Sequence, residues 1–472
     1  MNEFDELRYP FTTLFEFVSG GYFAERAGLH LTIALIVFAI LTMQVMLGRG
    51  TVLQRLITVF FAGTVYNNPV FAVPGGLHFN ELAGIAAAFW LGVLLLAGMR
   101  MNLRGVGIPL IVAGLVMLVH AAFVSVLDTA VVPDTATAVV RLVLLARIFV
   151  LAVIALGIEA LYTTTEDFEA LMNAMVRFGV AAIVIYFLQT GVFLSGTRPY
   201  GTYWDAGFTG IPSFGSVSIE RGHFGKFLII LFPFFAWAAM RQRRWIPMGM
   251  FVLVTLVNFS ASSMSFLAGY VLITVLVLHR YVIRPAAVKW LIPAGVTVII
   301  LASKFGEQYG GLIQKILQVG FKGEGEGGRG MSVLEAYLSA HPLGLGYSGS
   351  TLRNIGTLPM INMGAYAMAS QLSLLLIPIF IGFLWLTYRV VRESRYINDR
   401  ILAGLLITGM LMAIFMDLVD VLWFVPTIWA PMLIANGLSH LGRGPAVARG
   451  AEIVPSTPQL ATSELRATAA PH

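Results

Sequence analysis

Cysteine is absent from the 472-residue chain. Disulfides, iron–sulfur clusters and thiolate nucleophiles are therefore excluded. Charge is also scarce: Asp, Glu, Lys and Arg make up 11% of residues, against roughly 25% in an ordinary soluble protein. The eight histidines show no HExxH or other metal-ligand spacing, so no metal and no cofactor are expected. Residues 1–28 carry Glu3, Asp5, Glu6, Glu16 and Glu25 without a basic start or a small-residue cleavage site. That pattern is unlike a signal peptide, and insertion is expected to use internal helices. No internal repeat and no inverted symmetry of the transporter kind is visible.

What is there is apolar. Hydrophobic residues make up 58% of the chain and the mean hydropathy is +0.84. A water-soluble chain of this length could not hide so much apolar surface, which excludes soluble enzymes, nucleic-acid binders and disordered scaffolds. Lipid must replace water around most of it. The +6 net charge then reflects basic cytoplasmic loops rather than a nucleic-acid partner. The expected fold class is an all-α polytopic membrane protein.

Runs long enough to span lie at about 29–48, 52–74, 81–99, 106–127, 138–160, 175–194, 225–240, 245–260, 262–279, 288–302, 366–391, 401–416 and 421–440. That makes 12–13 transmembrane helices, each needing roughly 20 apolar residues. Asn67-Asn68-Pro69 interrupts the second run. The expected organisation is an N-terminal amphipathic segment (1–28), a transmembrane domain (29–442) and a disordered cytoplasmic tail (443–472), the tail being rich in Ala, Pro, Ser and Thr.

Basic residues gather at Arg49/Arg55, Arg100/Arg104, Arg241/Arg243/Arg244, Arg280/Arg284/Lys289 and Arg389/Arg392/Arg395/Arg400. These are alternate turns of the expected hairpins, so the positive-inside rule makes them cytoplasmic. Two of the opposite, outward segments are long: 195–224 and 303–365. Long structured loops usually carry function. Arg198, Arg221, Lys226, Arg329 and Arg353 lie in or beside them, against the charge bias for outward loops. Arg198, Arg221 and Arg329 sit in Gly-rich backbone, which lets an anion approach a guanidinium whose fork matches phosphate oxygens. Arg141 and Arg147 lie within the 138–160 span, where charge is costly. They fit either a cationic path for a phosphate or pairing with Asp134 or Glu159. Of the histidines, His223 and His341 fall in the long outward loops, whereas His120 lies in a span and reads as a satisfied core residue. A loop histidine suits a general base acting on a hydroxyl.

The setting of His341 is the most informative. Gly328-Arg329 is followed by a helix-compatible stretch, Met331–Ala340, then by His341-Pro342-Leu343-Gly344-Leu345-Gly346. This resembles the O-antigen ligase and O-antigen polymerase superfamily, in which a large periplasmic loop carries a G-R motif and then H-P-x-x-G-x-G. GTRPYGTYWDAGF and SIERGHFGKFLIILFPFF are similar to its periplasmic arginine and aromatic-glycine turn, and either Arg198 or Arg221 matches that arginine. NFSASSMSFLAGYV resembles its Ser-Arg segment, but Ser262-Ser263-Met264 lacks the arginine. The resemblance covers about residues 180–440.

The resemblance implies a multi-span glycosyltransferase in the bacterial inner membrane, with two long periplasmic loops and its active site facing the periplasm. Its donor would be an oligosaccharide on undecaprenyl diphosphate. Its acceptor would be a lipid-linked repeat unit for a glycan polymerase, or the lipid A core for a ligase; the lost Ser-Arg position favours polymerase. His341 would be the catalytic base, and Arg221, Arg198, Arg329, Lys226 and Arg147 would bind the diphosphate and substrate. No paired carboxylates suggest a covalent glycosyl intermediate: Asp417 and Asp420 sit together at an outward turn, where helix-end solvation or an arginine partner explains them equally well. A lipid-linked sugar transporter is the alternative from another class; the missing repeats count against it.

Overall fold

The computed structural model describes residues 28–67, 71, 77–99, 105–127, 135–196, 203–204, 213–218, 221–259, 331–346, 364–419 and 426–443. These residues form α1 (Gly28–Met46), α2 (Val52–Ala62), α3 (Phe79–Leu96), α4 (Gly107–Leu127), α5 (Thr135–Leu161), α6 (Thr165–Leu194), α7 (Arg221–Gln242) and α8 (Trp245–Phe259). There follow α9 (Met331–Ala340), α10 (Gly364–Leu372), α11 (Leu376–Glu393), α12 (Arg400–Val419) and α13 (Pro426–Gly442). The only extended pairing among the described residues is antiparallel, between β1 (Tyr203–Trp204) and β2 (Ser213–Phe214). Among the described residues, five segments are long and apolar enough to cross a membrane, and four more are shorter apolar helices. The fold is thus helical and polytopic in character, as expected. The runs at 262–279 and 288–302, the segment 1–27 and the tail from 444 lie outside the described residues.

Two expected spans are broken. The run at 52–74 leaves the helix after α2 and a 3-10 turn ending at Val65, because the Asn67-Asn68-Pro69 sequence beyond it disfavours helix. The run at 366–391 divides into α10 and α11 at Ser373, whose φ is +49°. The cause is tertiary. The carbonyls of Ser370 and Gln371 accept the N–H groups of Leu345 and Gly346 at 2.9 Å each, which diverts acceptors from the helix's own ladder.

Elsewhere local chemistry places the boundaries. Thr51 and Gln54 form a reciprocal capping box at the start of α2, as do Thr164 and Asp167 at the start of α6. At α3, Glu81 reaches back to accept the His78 N–H at 2.9 Å.

The centre of the bundle is α6 and α7. Of the most apolar window of α7, 78% is buried, against 17% for the window spanning α10 and α11 and 22% for α3. The outer faces carry exposed Phe89, Trp90, Phe123, Ile381 and Trp385, as lipid-facing surfaces do. Inside, α7, α12 and α13 meet at two helix-interior prolines, Pro233 and Pro431. Gly409 of α12 admits them: a Cβ there would lie 2.4 Å from Pro233 Cγ and 3.2 Å from Pro431 Cγ.

The basic clusters of the described residues converge on one end of this bundle. Arg55 donates to the Met46 carbonyl at the end of α1, where a cation also meets the negative end of the helix dipole. Arg241 of α7 pairs with Asp399 before α12 at 2.5 Å, and Arg443 after α13 pairs with Glu393 of α11 at 2.9 Å. We call this the basic end, and the opposite one the loop end.

Candidate functional site

At the loop end, α9 forms over the residues whose composition favoured a helix, with Leu334 and Tyr337 turned inward. Burial raises the Tyr337 phenol above its ordinary value, so it stays protonated and able to donate. The helix stops at His341-Pro342, as expected where proline cannot continue the ladder. The main chain of His341 makes the transition: its N–H donates to the Tyr337 carbonyl and its carbonyl accepts from Gly344 N–H, both at 2.8 Å. Gly344 and Gly346 then take left-handed conformations, at φ +81° and +75°. A Cβ on Gly344 would sit 2.5 Å from the Gln371 carbonyl oxygen. The position accepts only glycine without displacement.

The turn is pinned to three elements. Leu345 and Gly346 bond to α10, and Ser373 Oγ donates to the Pro342 carbonyl at 2.8 Å. From α4, His120 Nε2 lies 2.9 Å from the Leu343 carbonyl oxygen. His341 itself stays partly exposed beside fully buried Leu345. The result is a histidine whose main chain ends α9 and closes the turn.

The second long loop also folds inward. Ser216, at φ +53°, takes Gln189 Oε1 on its N–H at 2.9 Å and donates through Oγ to the Ala182 carbonyl at 2.6 Å. Ser218 Oγ donates to the Val65 carbonyl at 3.1 Å. Phe214, Val217 and both serines are buried, so residues 213–218 plug the gap between α2 and α6. The chain re-emerges at Arg221, the first residue of α7 rather than a loop residue; its N-terminal N–H groups are intrinsically suited to an anion. One turn on, Lys226 is buried to 1% exposure, near the stack of Phe224 on Tyr186 at 5.6 Å.

Arg147 is engaged by a carboxylate. Its Nε lies 2.7 Å from Glu81 Oε1 and its Nη2 3.1 Å from Oε2, a two-point grip at the start of α3. Glu81 is not among the partners weighed from the sequence, of which Asp134 lies outside the described residues. Glu159 is engaged near the basic end, accepting Val106 N–H at 3.0 Å and Asn436 Nδ2 at 2.6 Å. Beside the Arg147–Glu81 pair, burial lowers the His78 imidazole, with the Glu81 carboxylate opposing. Arg198 and Arg329 lie outside the described residues, as does the Arg221 side chain.

Sequence reading missed the anchors. His120 reads as a core histidine, yet it holds the turn from another helix. The polar Ser370-Gln371 and Ser373 within an apolar run were the available signal for a docking point. Among the described residues no three His, Asp or Glu side chains gather as metal ligands would. Chemically, the loop end offers a partly exposed imidazole on a rigid turn, a helix N-terminus headed by an arginine, and a buried lysine. No family model matches the chain, and no curated protein is significantly similar to it.

Proposed function

We propose that the protein is a glycan polymerase that joins oligosaccharide repeat units from an undecaprenyl diphosphate-linked donor, with the loop end facing the periplasm of the bacterial inner membrane. The observation that carries this reading is the fixed H-P-x-x-G-x-G turn: its main chain is bonded to α10 and α4, and His341, at its start, is partly exposed at the loop end. In this reading the imidazole takes the proton of an acceptor hydroxyl. The hydroxyl oxygen attacks the anomeric carbon, the bond from that carbon to the diphosphate oxygen breaks, and the configuration inverts. Arg221, Arg198, Arg329 and Lys226 stabilise the charge that develops on the departing diphosphate. Arg147, which the resemblance also implied, is paired with Glu81.

The test is an inventory of carrier-linked glycan in a strain deleted for the protein. Single repeat units accumulating on the outer side of the membrane support the polymerase. Full-length chains left on the carrier would replace it with the ligase reading, transfer to lipid A core. Single units trapped on the cytoplasmic side would replace it with transport of the lipid-linked sugar.

A further inference from the structure

Four arginines surround an open cleft at the basic end that no part of the proposed reaction uses. It is lined by Arg389, Arg392, Glu393, Arg395, Tyr396 and Arg443. Its free space is about 370 Å³. With four guanidiniums against one carboxylate, the lining is strongly cationic. That acid pairs through Glu393 Oε1 with Arg443 Nη2 at 2.9 Å, and its Oε2 is buried without a hydrogen-bond partner among the described residues.

The donors are held open. The guanidiniums of Arg443 and Arg395 lie 4.7 and 4.8 Å from the Tyr396 ring centroid. Arg395 Nη2 also bonds to the Tyr396 hydroxyl at 2.7 Å. Arg389 lies 5.3 Å from the ring centroid of Trp385. Its Nε and Nη2 are buried and have no hydrogen-bond partner among the described residues, and the same holds for Arg443 Nε. Buried guanidinium donors without acceptors are costly, and an oxyanion would satisfy several at once.

The position of the cleft selects the anion. The residues leading to it along α11 (Ile381, Leu384, Trp385 and Tyr388) are all exposed, on the face that meets lipid. Exposed Trp and Tyr at a helix end mark the level of the headgroups. Arg389 bridges that aromatic pair and the cleft. We infer that the cleft between α11 and the end of α13 binds the phosphate of an acidic phospholipid, whose acyl chains lie along the exposed face of α11. Basic pockets between helices recognise headgroups in this way. The site is independent of the proposed glycan chemistry, so neither stands or falls with the other.

The experiment uses the full chain, purified in neutral detergent and stripped of lipid, then returned to nanodiscs or micelles containing phosphatidylglycerol or phosphatidylcholine. Lipid retained on the protein is counted by native mass spectrometry, with thermal unfolding alongside. Phosphatidylglycerol should be retained in preference to phosphatidylcholine. In R392Q/R395Q, whose side chains are exposed and whose loss opens no core cavity, that preference should fall by roughly tenfold or more. R389Q should do the same, and Arg389→Lys should rescue it only in part, since a point charge cannot replace the fork. Equal retention of the two lipids, or an unchanged preference in R392Q/R395Q, would overturn the proposal. So would inorganic phosphate alone giving the whole stabilisation, because the site would then be one for a free anion.

Discussion

The two ends of the bundle are built by different means. At the basic end the turns are short and side chains make the connections: Arg241 to Asp399, Arg443 to Glu393, Gln54 Nε2 to the Leu161 carbonyl at 2.9 Å. At the loop end long segments fold back, and each of the bonds that hold them engages a main-chain group, in the 213–218 plug and the His341–Gly346 turn. Charge at an exposed helix end is cheap and tolerant of replacement. A main-chain scaffold is stricter, because its φ angles and carbonyl positions admit few residues. A site requiring fixed geometry belongs at the second kind of end.

That contrast ranks substitutions. The largest effect on folding should come from Gly344→Ala. A Cβ meets the Gln371 carbonyl oxygen at 2.5 Å and the φ of +81° disfavours any L side chain, a cost of about 1–3 kcal/mol. Thermal unfolding should fall accordingly. A displacement of about 1 Å at a reacting group can cost about 100-fold in rate, so transfer should fall with it. Unchanged stability and activity would mean that the turn is not rigid.

Next is the Arg147–Glu81 pair. Glu81 is largely buried, with 14% side-chain exposure, and losing its partner strands a carboxylate. Arg147→Gln should destabilise by about 1–3 kcal/mol, and the double variant with Glu81→Gln should recover part of that. Failure of the second substitution to recover anything would put Arg147 back among the substrate-binding residues.

His120→Phe removes one neutral bond to the Leu343 carbonyl, worth about 1 kcal/mol. It should slow transfer more than it lowers the unfolding temperature, because it loosens the turn and not the bundle. Equal effects on both would make His120 an ordinary core residue.

The smallest effect concerns the basic end. Burial alone would raise the Asp399 carboxyl, but the Arg241 hydrogen bond and the N–H groups of Leu402 and Ile401 hold it below its ordinary value. A depressed carboxylate contributes stability above the unfolded-state value, and that is lost as pH falls through the folded-state value. The loss therefore belongs below about pH 4. Since Arg241 is half exposed, solvent screens the pair and the contribution should be about 0.5 kcal/mol. Unfolding of Asp399→Asn against wild type should differ at neutral pH and converge in acid; a constant difference would show that the carboxylate charge is not involved.

Much of this was legible in the chain. Apolar runs gave most helix positions because in lipid the backbone must pair within each segment, and basic clusters marked one end because charge there costs little. The helix at Met331–Ala340 and the turn after it could be read from composition, proline and glycine. The break at Ser373 could not, since it depends on carbonyls being claimed by Leu345 and Gly346 across the fold. Nor could Glu81 as the partner of Arg147: pairing across helices follows their packing, and sequence spacing carries no record of it. His120 was hidden for the same reason.

The central claim is that the loop end presents His341 as a base on a turn that main-chain bonds hold in place. The most direct measurement compares His341→Gln with wild type on purified protein, using a lipid-linked donor. The two bonds that end α9 and close the turn come from the main chain of residue 341, so the variant should fold with an unchanged unfolding temperature. Its turnover should fall by about 10²–10⁴-fold. Near-wild-type turnover in the folded variant would contradict the account.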